Sequence, residues 1–135
     1  MASALSSVEV SAIGVQSGWL VRNALNDRMH RQGESAARYK LEVELDDDIT
    51  GFGTRLDNTI SRERRTLRAR YRLIDAATGS VLLDQTAAAD AGIDVTQSDY
   101  ATLAAEQTAL ERMAERLADQ IVARVATYAG RSTNR

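Results

Sequence analysis

The sequence contains no cysteine and no proline, and its only histidine is His30. Without cysteine the chain cannot form a disulfide, a thiol nucleophile, an iron–sulfur cluster or a thiolate zinc site. A single histidine also excludes a multi-histidine metal centre. No apolar run approaches the roughly 20 residues that a membrane-spanning helix needs, and no signal peptide opens the chain. These absences argue against most enzyme mechanisms, and we expect no catalytic site, no metal and no cofactor.

The charge is nearly balanced, with 17 basic and 19 acidic residues giving a net charge of −2. This balance lacks the electrostatic footprint of a nucleic-acid-binding protein. Apolar residues make up 44% and charged residues 27% of the chain, as in an ordinary globular domain. The 135 residues therefore predict one domain. This domain covers residues 1–135, with residues 1–6 expected to be an introduced or disordered start and residues 131–135 a disordered tail.

The first half of the chain alternates between two periodicities. Apolar and polar residues alternate over residues 8–12 and again over 39–45, which predicts two strands with one buried face each. Between them, residues 17–29 have helical spacing, and Gly33 follows at a position where a helix can end. Residues 46–58 include three consecutive aspartates and two glycines without a sustained period, which predicts either a long exposed loop or a frayed hairpin tip.

The second half predicts a hairpin followed by a long helix. Residues 66–86 form the hairpin, with turn chemistry supplied by Asp75 and Gly79. Small residues then lead to Ser98 and Asp99, a hydroxyl and an acid suited to a helix N-terminus. An apolar stripe follows at spacings of three and four residues until Gly130, where the helix is predicted to end. At 1.5 Å per residue this helix would be ~45 Å long and would overhang the sheet.

The order of elements is strand, helix, three strands, helix. One apolar helix stripe matches one apolar sheet face, which predicts an α+β fold in which two helices pack on one face of a four-stranded mixed sheet. No repeat, linker or low-complexity tract suggests a second domain.

Few residues offer chemistry. His30 lies at the end of the first helix without an obvious acid partner, as a surface cation would. The run of aspartates from Asp46 to Asp48 lacks the ligand spacing of a calcium-binding loop. Gly51 and Gly53 are followed by neither a lysine nor a helix start, so they do not form a phosphate loop. No serine lies in a nucleophile elbow.

Seven arginines lie between residues 55 and 72. If the strand extended back to residue 62, five of them would share one face of the sheet: Arg62, Arg64, Arg68, Arg70 and Arg72. Pairing with Glu42 and Glu44 on the neighbouring strand would account for Arg68 and Arg70. Two glutamates cannot neutralise five arginines, so the surplus near the hairpin tip is available to an anion, which guanidinium groups bind in two-point fashion. The whole cluster comprises Arg55, Arg62, Arg64, Arg65, Arg68, Arg70 and Arg72.

The order and spacing of several stretches resemble the lipopolysaccharide-assembly lipoprotein family LptE, in its alphaproteobacterial form. The resemblance covers nearly the whole chain, from about Val8 to Tyr128. The stretches that carry it are residues 18–28 of the first helix, residues 39–43 of the next strand, residues 67–83 of the hairpin, and residues 98–101, 105–107 and 117–121 of the last helix.

The resemblance implies a non-catalytic lipoprotein of the outer membrane that faces the periplasm. Members of the family fold as two helices against a four-stranded sheet, act as a plug and assembly partner inside the β-barrel LptD, and bind lipopolysaccharide. They are anchored by an acylated N-terminal cysteine. We therefore expect that the chain begins downstream of that cysteine, with Met1 and Ala2 introduced at its start.

The resemblance also implies where lipopolysaccharide would bind. The family uses basic residues toward the phosphates of lipid A, and one such element matches Arg62, Arg64 and Arg65, with Arg55 nearby. A second basic position of the family, near the start of the last helix, is replaced here by residues 100–103 (Tyr-Ala-Thr-Leu). The lipopolysaccharide-binding candidates are therefore the four arginines.

Two further hypotheses fit the same pattern. The chain could be an auxiliary periplasmic lipoprotein of an ABC-type lipid transporter, which would share the strand, hairpin and closing helix. It could instead regulate a cell-wall synthase by binding the enzyme and no lipid. A small hydrolase is disfavoured by the shortage of acid–base residues.

Overall fold

The computed structural model describes residues 8–10, 18–29, 38–54, 60–96 and 98–133. His30, Gly33 and Arg55 lie outside these residues. In chain order the elements are β1 (Val8–Val10), α1 (Gly18–Met29), β2 (Tyr39–Thr54), β3 (Ile60–Asp75), β4 (Val81–Asp94) and α2 (Asp99–Thr133).

The four strands form one sheet in the order β1-β2-β3-β4. The β1 strand pairs with β2 in parallel, and β2, β3 and β4 pair antiparallel in succession. Both helices pack on one face of the sheet, so the predicted α+β class, element order and mixed four-stranded sheet are confirmed.

The core lies between α2 and the helix-facing side of the sheet. Apolar residues at every second strand position meet the apolar stripe of α2, and α1 covers the side of this core next to β1. The largest fully buried side chains of this core are Leu41, Leu67 and Leu73 from the sheet, Leu25 and Met29 from α1, and Met113, Leu117 and Ile121 from α2.

Over the described part of residues 46–58 the predicted loop is wrong and the alternative of a hairpin agrees with the structure, since β2 continues to Thr54 and pairs with β3. Asp46 lies opposite Arg68, and Asp47 is two strand positions from Arg65, whose guanidinium binds it. Aspartate is uncommon in strands, but opposite charges on facing strands stabilise the pairing of those strands. The acidic run therefore belongs to a long hairpin.

The last strand and the last helix also exceed their predicted lengths. Small residues between Thr86 and Gly92 continue β4 to Asp94, and the alanines among them let α2 pack closely on the sheet. The α2 helix passes Gly130 and ends at Thr133. Its 35 residues span about 52 Å, and the 16-residue strands β2 and β3 span about 53 Å. The expectation that the helix is longer than the sheet is therefore wrong.

The predicted turn and helix start are both confirmed. Asp75 Oδ1 accepts hydrogen bonds from the backbone amides of Ala77 at 2.8 Å and Thr78 at 3.1 Å. Gly79 has a φ of 75°, a conformation that side chains with a Cβ rarely adopt. At the other site, Ser98 Oγ accepts from the Ala101 amide at 3.2 Å and caps α2.

Candidate functional site

The arginines of β3 lie on two different faces of the sheet. Arg62 and Arg64 point away from the helices, whereas Arg65 lies on the helix-facing side. Successive side chains of a strand alternate between faces, so neighbouring residues cannot form one patch. The candidate group of Arg62, Arg64 and Arg65 is thus divided by the sheet. The expectation that five arginines share one face is confirmed for Arg62, Arg64, Arg68, Arg70 and Arg72.

The two candidates on this outer face are paired with acids of β4. Arg64 Nη2 lies 2.6 Å from Asp90 Oδ2, and Arg62 Nε lies 3.4 Å from Asp94 Oδ1. The expected surplus of arginine at the hairpin tip is therefore wrong. That expectation considers only the acids of β2, because the sequence does not predict residues 86–94 as a strand beside β3.

Farther from the tip, the pairing partners also differ from the prediction. Arg70 donates to both carboxylate oxygens of Asp84, at 3.1 and 2.8 Å, rather than to a glutamate of β2. These hydrogen bonds lower the pKa of Asp84. Arg72 takes the glutamates instead, at 3.1 Å from Glu44 and 3.7 Å from Glu42. Most of the outer face is therefore a ladder of exposed ion pairs.

Arg68 differs from its neighbours on the outer face. It lines a shallow recess of about 230 Å³ together with Asp46, Asp48 and Thr66. Within the described part of the chain its guanidinium forms neither an ion pair nor a hydrogen bond, which leaves its donors to solvent or to an anion. Sequence reasoning assigned Arg68 to pairing with β2 glutamates and so missed it as a candidate.

Arg65 connects β2, β3 and α2 on the helix side of the sheet. Its Nε and Nη2 donate to the two carboxylate oxygens of Asp47 at 2.9 and 2.7 Å, and its Nη1 donates to the carbonyl of Glu106 at 3.2 Å. The side chain is only 14% exposed. The hydrogen bonds to Asp47 raise its pKa further. Arg65 thus holds α2 against the hairpin and is not displayed to a ligand.

A pair of carboxyl groups lies beside Arg65. Glu63 on β3 faces Glu106 on α2, and Glu63 Oε1 is inaccessible to solvent and lacks a hydrogen-bond donor among the described residues. Burial, a hydrogen bond shared with Glu106 and the charge of Glu106 raise the pKa of Glu63 above its ordinary value of 4.5, although Arg65 opposes the shift. A proton on either carboxyl group would supply the hydrogen-bond donor that two ionised carboxylates lack. No sequence motif marks this pair, because its members lie on separate elements.

We expect Glu63→Gln to stabilise the protein at neutral pH by about 1 kcal/mol, the scale of relieving one unsatisfied buried acceptor. A group whose pKa is raised by folding contributes stability below its unfolded pKa and loses it as pH rises through the folded value. The gain should therefore be absent near pH 4 and complete once Glu63 ionises. Urea unfolding of both proteins across this range measures it.

Glu115→Gln is the matched control, because Glu115 is exposed on α2. Its effect on the free energy of unfolding should be small and should show no matching dependence on pH. If Glu63→Gln changed the free energy of unfolding equally at every pH, this would contradict the interpretation that Glu63 and Glu106 share a proton.

Among the described residues, no cluster of histidine and acidic side chains could hold a metal ion. No helix in these ranges combines the length and the apolar character needed to cross a membrane.

Comparisons with known proteins agree with the fold. Residues 5–125 match the family model LptE, described as lipopolysaccharide-assembly. A candidate lipoprotein from Caulobacter crescentus is similar to the chain at 27% identity and a TM-score of 0.78, covering 96% of this chain and 95% of its own. No curated protein matches.

More distant solved structures share the fold. Rare lipoprotein B from Shewanella oneidensis is 12% identical with a TM-score of 0.66, covering 89% of this chain and 93% of its own. A minor lipoprotein from Acinetobacter baumannii is 16% identical with a TM-score of 0.65, covering 92% and 90%.

Proposed function

From the premise that this chain belongs to the LptE lipopolysaccharide-assembly family, we propose that it is a non-catalytic, lipid-anchored component of the outer membrane. It faces the periplasm, occupies the interior of the LptD β-barrel, and binds lipopolysaccharide through the phosphates of lipid A. The family match over residues 5–125 is the observation that carries this proposal.

The architecture suits a plug. A plug must keep its shape while a larger protein surrounds it, and this requires a well-packed body rather than a reactive centre. The buried stripe of α2 spans the sheet from Leu110 to Val125. Arg65 fastens the far half of the long hairpin to α2. Both features favour a single rigid unit over a flexible scaffold.

The outer face of the sheet supports binding of phosphate groups. Arg62 and Arg64 are held by ion pairs whose side chains are at least half exposed, and exposed pairs contribute only about 0.2–1 kcal/mol. A phosphate can therefore displace a carboxylate at little cost, and it binds a guanidinium through two oxygens. Arg68 lies on the same face and forms no ion pair in the described chain, but the carboxylates of Asp46 and Asp48 line its recess, so the phosphate ligands proposed here are Arg62 and Arg64. Arg65 does not belong to this surface.

Co-purification tests the proposed partner. The full-length lipidated protein with an affinity tag, extracted from membranes in mild detergent, should retain a large outer-membrane β-barrel. A different outer-membrane lipoprotein with the same tag is the control and should not retain it. Recovery of an inner-membrane ABC transporter, or of a cell-wall synthase, in place of the barrel would overturn the proposal in favour of one of those partners.

A further inference from the structure

The outer edge of β4 is an open edge of the sheet, and α2 covers part of it. Gln120 Nε2 donates to the carbonyl of Ala88 at 3.1 Å, and Arg116 Nη1 reaches the carbonyl of Asp90 at 3.5 Å. Backbone groups of an edge strand alternate between the neighbouring strand and the open side. The carbonyls of Ala88 and Asp90 therefore face the open side, and α2 protects them from pairing with another strand.

Gly92 and Asp94 are the next residues of β4 whose backbone groups have this orientation, and α2 does not protect them. By the same alternation, the backbone amide and carbonyl groups of Gly92 and Asp94 face outward, and no side chain of α2 donates to them in the described structure. They form a short template of main-chain donors and acceptors. The segment from Asp90 to Asp94 extends over roughly 13 Å.

A groove of about 670 Å³ lies along this segment, between β4 and the first half of α2. We name it the β4–α2 groove. Small side chains create the space, because Ala101 and Ala105 on α2 face Ala91 on the strand. The residues that matter for its use are Ala91, Gly92, Ala101, Ala105, Arg112 and Arg116.

The charged side chains that line the β4–α2 groove are two aspartates, Asp90 and Asp94, and two arginines, and they differ in whether they are paired. Arg112 and Arg116 line it, and neither forms an ion pair within the described chain. The nearby carboxylates of Asp90 and Asp94 are engaged by arginines on the outer face. An occupant with acidic side chains is therefore favoured over a basic one.

We propose that the β4–α2 groove binds an extended acidic polypeptide segment of a partner protein, which adds to β4 as a fifth strand. Main-chain hydrogen bonds to Gly92 and Asp94 would provide affinity, and pairing of its carboxylates with Arg112 and Arg116 would provide selectivity. The observations that carry this inference concern β4, α2 and the two ion pairs that join β4 to β3, and the peptide experiments below contain no lipopolysaccharide, so they test it separately from the proposed function.

A synthetic ten-residue peptide with blocked ends tests the charge preference. It alternates valine or threonine with aspartate, and a second peptide has lysine in place of aspartate. By fluorescence anisotropy the aspartate peptide should bind more tightly. Arg112→Glu should weaken its binding about fivefold, as expected for one exposed ion pair. Arg124→Glu makes the same charge change at an exposed site of α2 outside the groove, and it should leave the affinity nearly unchanged.

A backbone substitution tests the strand addition itself. Gly92→Pro removes an outward-facing amide without removing a hydrogen bond to β3, and proline is tolerated in this setting. It should abolish peptide binding. Gly92→Ala keeps the amide, and its Cβ would lie 3.7 Å from Arg62 Nη2, an ordinary contact. This variant should bind like the parent. Amide signals of both proteins in NMR spectra report whether the fold is intact.

Three results would overturn the inference. Equal affinity for the two peptides, or binding that survives Gly92→Pro in a folded protein, would exclude an acidic fifth strand. Self-association of the chain that Gly92→Pro disrupts would show that a second copy of the chain, and not a different partner, occupies this edge. Sedimentation of the parent and the Gly92→Pro protein distinguishes that case.

Discussion

Leu117→Ala is expected to lower the free energy of unfolding by about 3 kcal/mol, enough to unfold a marginally stable domain in part. Leu117 is fully buried on the stripe of α2 that faces the sheet. Removing three carbon atoms there leaves a cavity between the two layers, because the surrounding side chains belong to regular elements and can collapse only partly. Urea unfolding followed by circular dichroism measures the change.

Leu103→Ala is the control on the same helix. Leu103 is 64% exposed, so its truncation should change the free energy of unfolding by less than about 0.5 kcal/mol. A similar loss for the two variants would contradict the assignment of the core, since it would mean that helix propensity rather than burial determines the effect.

Paired substitutions on the outer face should change lipopolysaccharide binding in opposite directions. Arg62→Ala combined with Arg64→Ala removes the proposed phosphate ligands and should weaken binding about tenfold at low salt. Asp90→Asn combined with Asp94→Asn removes the competing carboxylates and should strengthen binding, because these carboxylates then no longer compete with phosphate for the same guanidinium groups. Equilibrium binding of purified lipopolysaccharide to the parent and both double variants provides the comparison.

The salt dependence of binding gives a second measure of the same contacts. Electrostatic contacts at an exposed surface weaken as ionic strength rises, so the difference between the two double variants should shrink in high salt. Arg65→Ala is not a substitute for this experiment, since loss of Arg65 would also loosen α2 from the hairpin. Unchanged binding in both double variants would remove the outer face from the proposal while leaving the barrel partnership to its own test.

Local periodicity was enough to predict the elements and the core, whereas long-range pairing was not predictable. Alternation over residues 39–45 and the apolar stripe of α2 each depend on residues close in sequence. The aspartates from Asp46 to Asp48 are typical of a turn when only their sequence neighbours are considered. In the structure they lie beside Arg65 and Arg68, which follow about twenty residues later in the chain. The extension of β2 depends on that pairing and is invisible to any local pattern.

The candidate site was harder to predict for the same physical reason. The sequence places Arg64 and Arg65 side by side, but the pleat directs them to opposite faces of the sheet. The acid that binds Arg64 is Asp90, on the continuation of β4 beyond residue 86, which the alanine-rich sequence did not indicate. The carboxyl pair of Glu63 and Glu106 also joins two elements. Only the tertiary arrangement separates structural arginines from those available to a ligand.

Because Gln120 and Arg116 lie on α2, the packing of this helix also determines how readily the protein aggregates. These side chains reach the strand edge only while α2 lies on the sheet, so an event that lifts the helix uncovers an apolar layer and a row of main-chain groups together. A molecule opened in this way would be prone to aggregate and to attract chaperones before it unfolds completely. Turbidity on gentle heating should therefore develop earlier in Leu117→Ala than in Leu103→Ala.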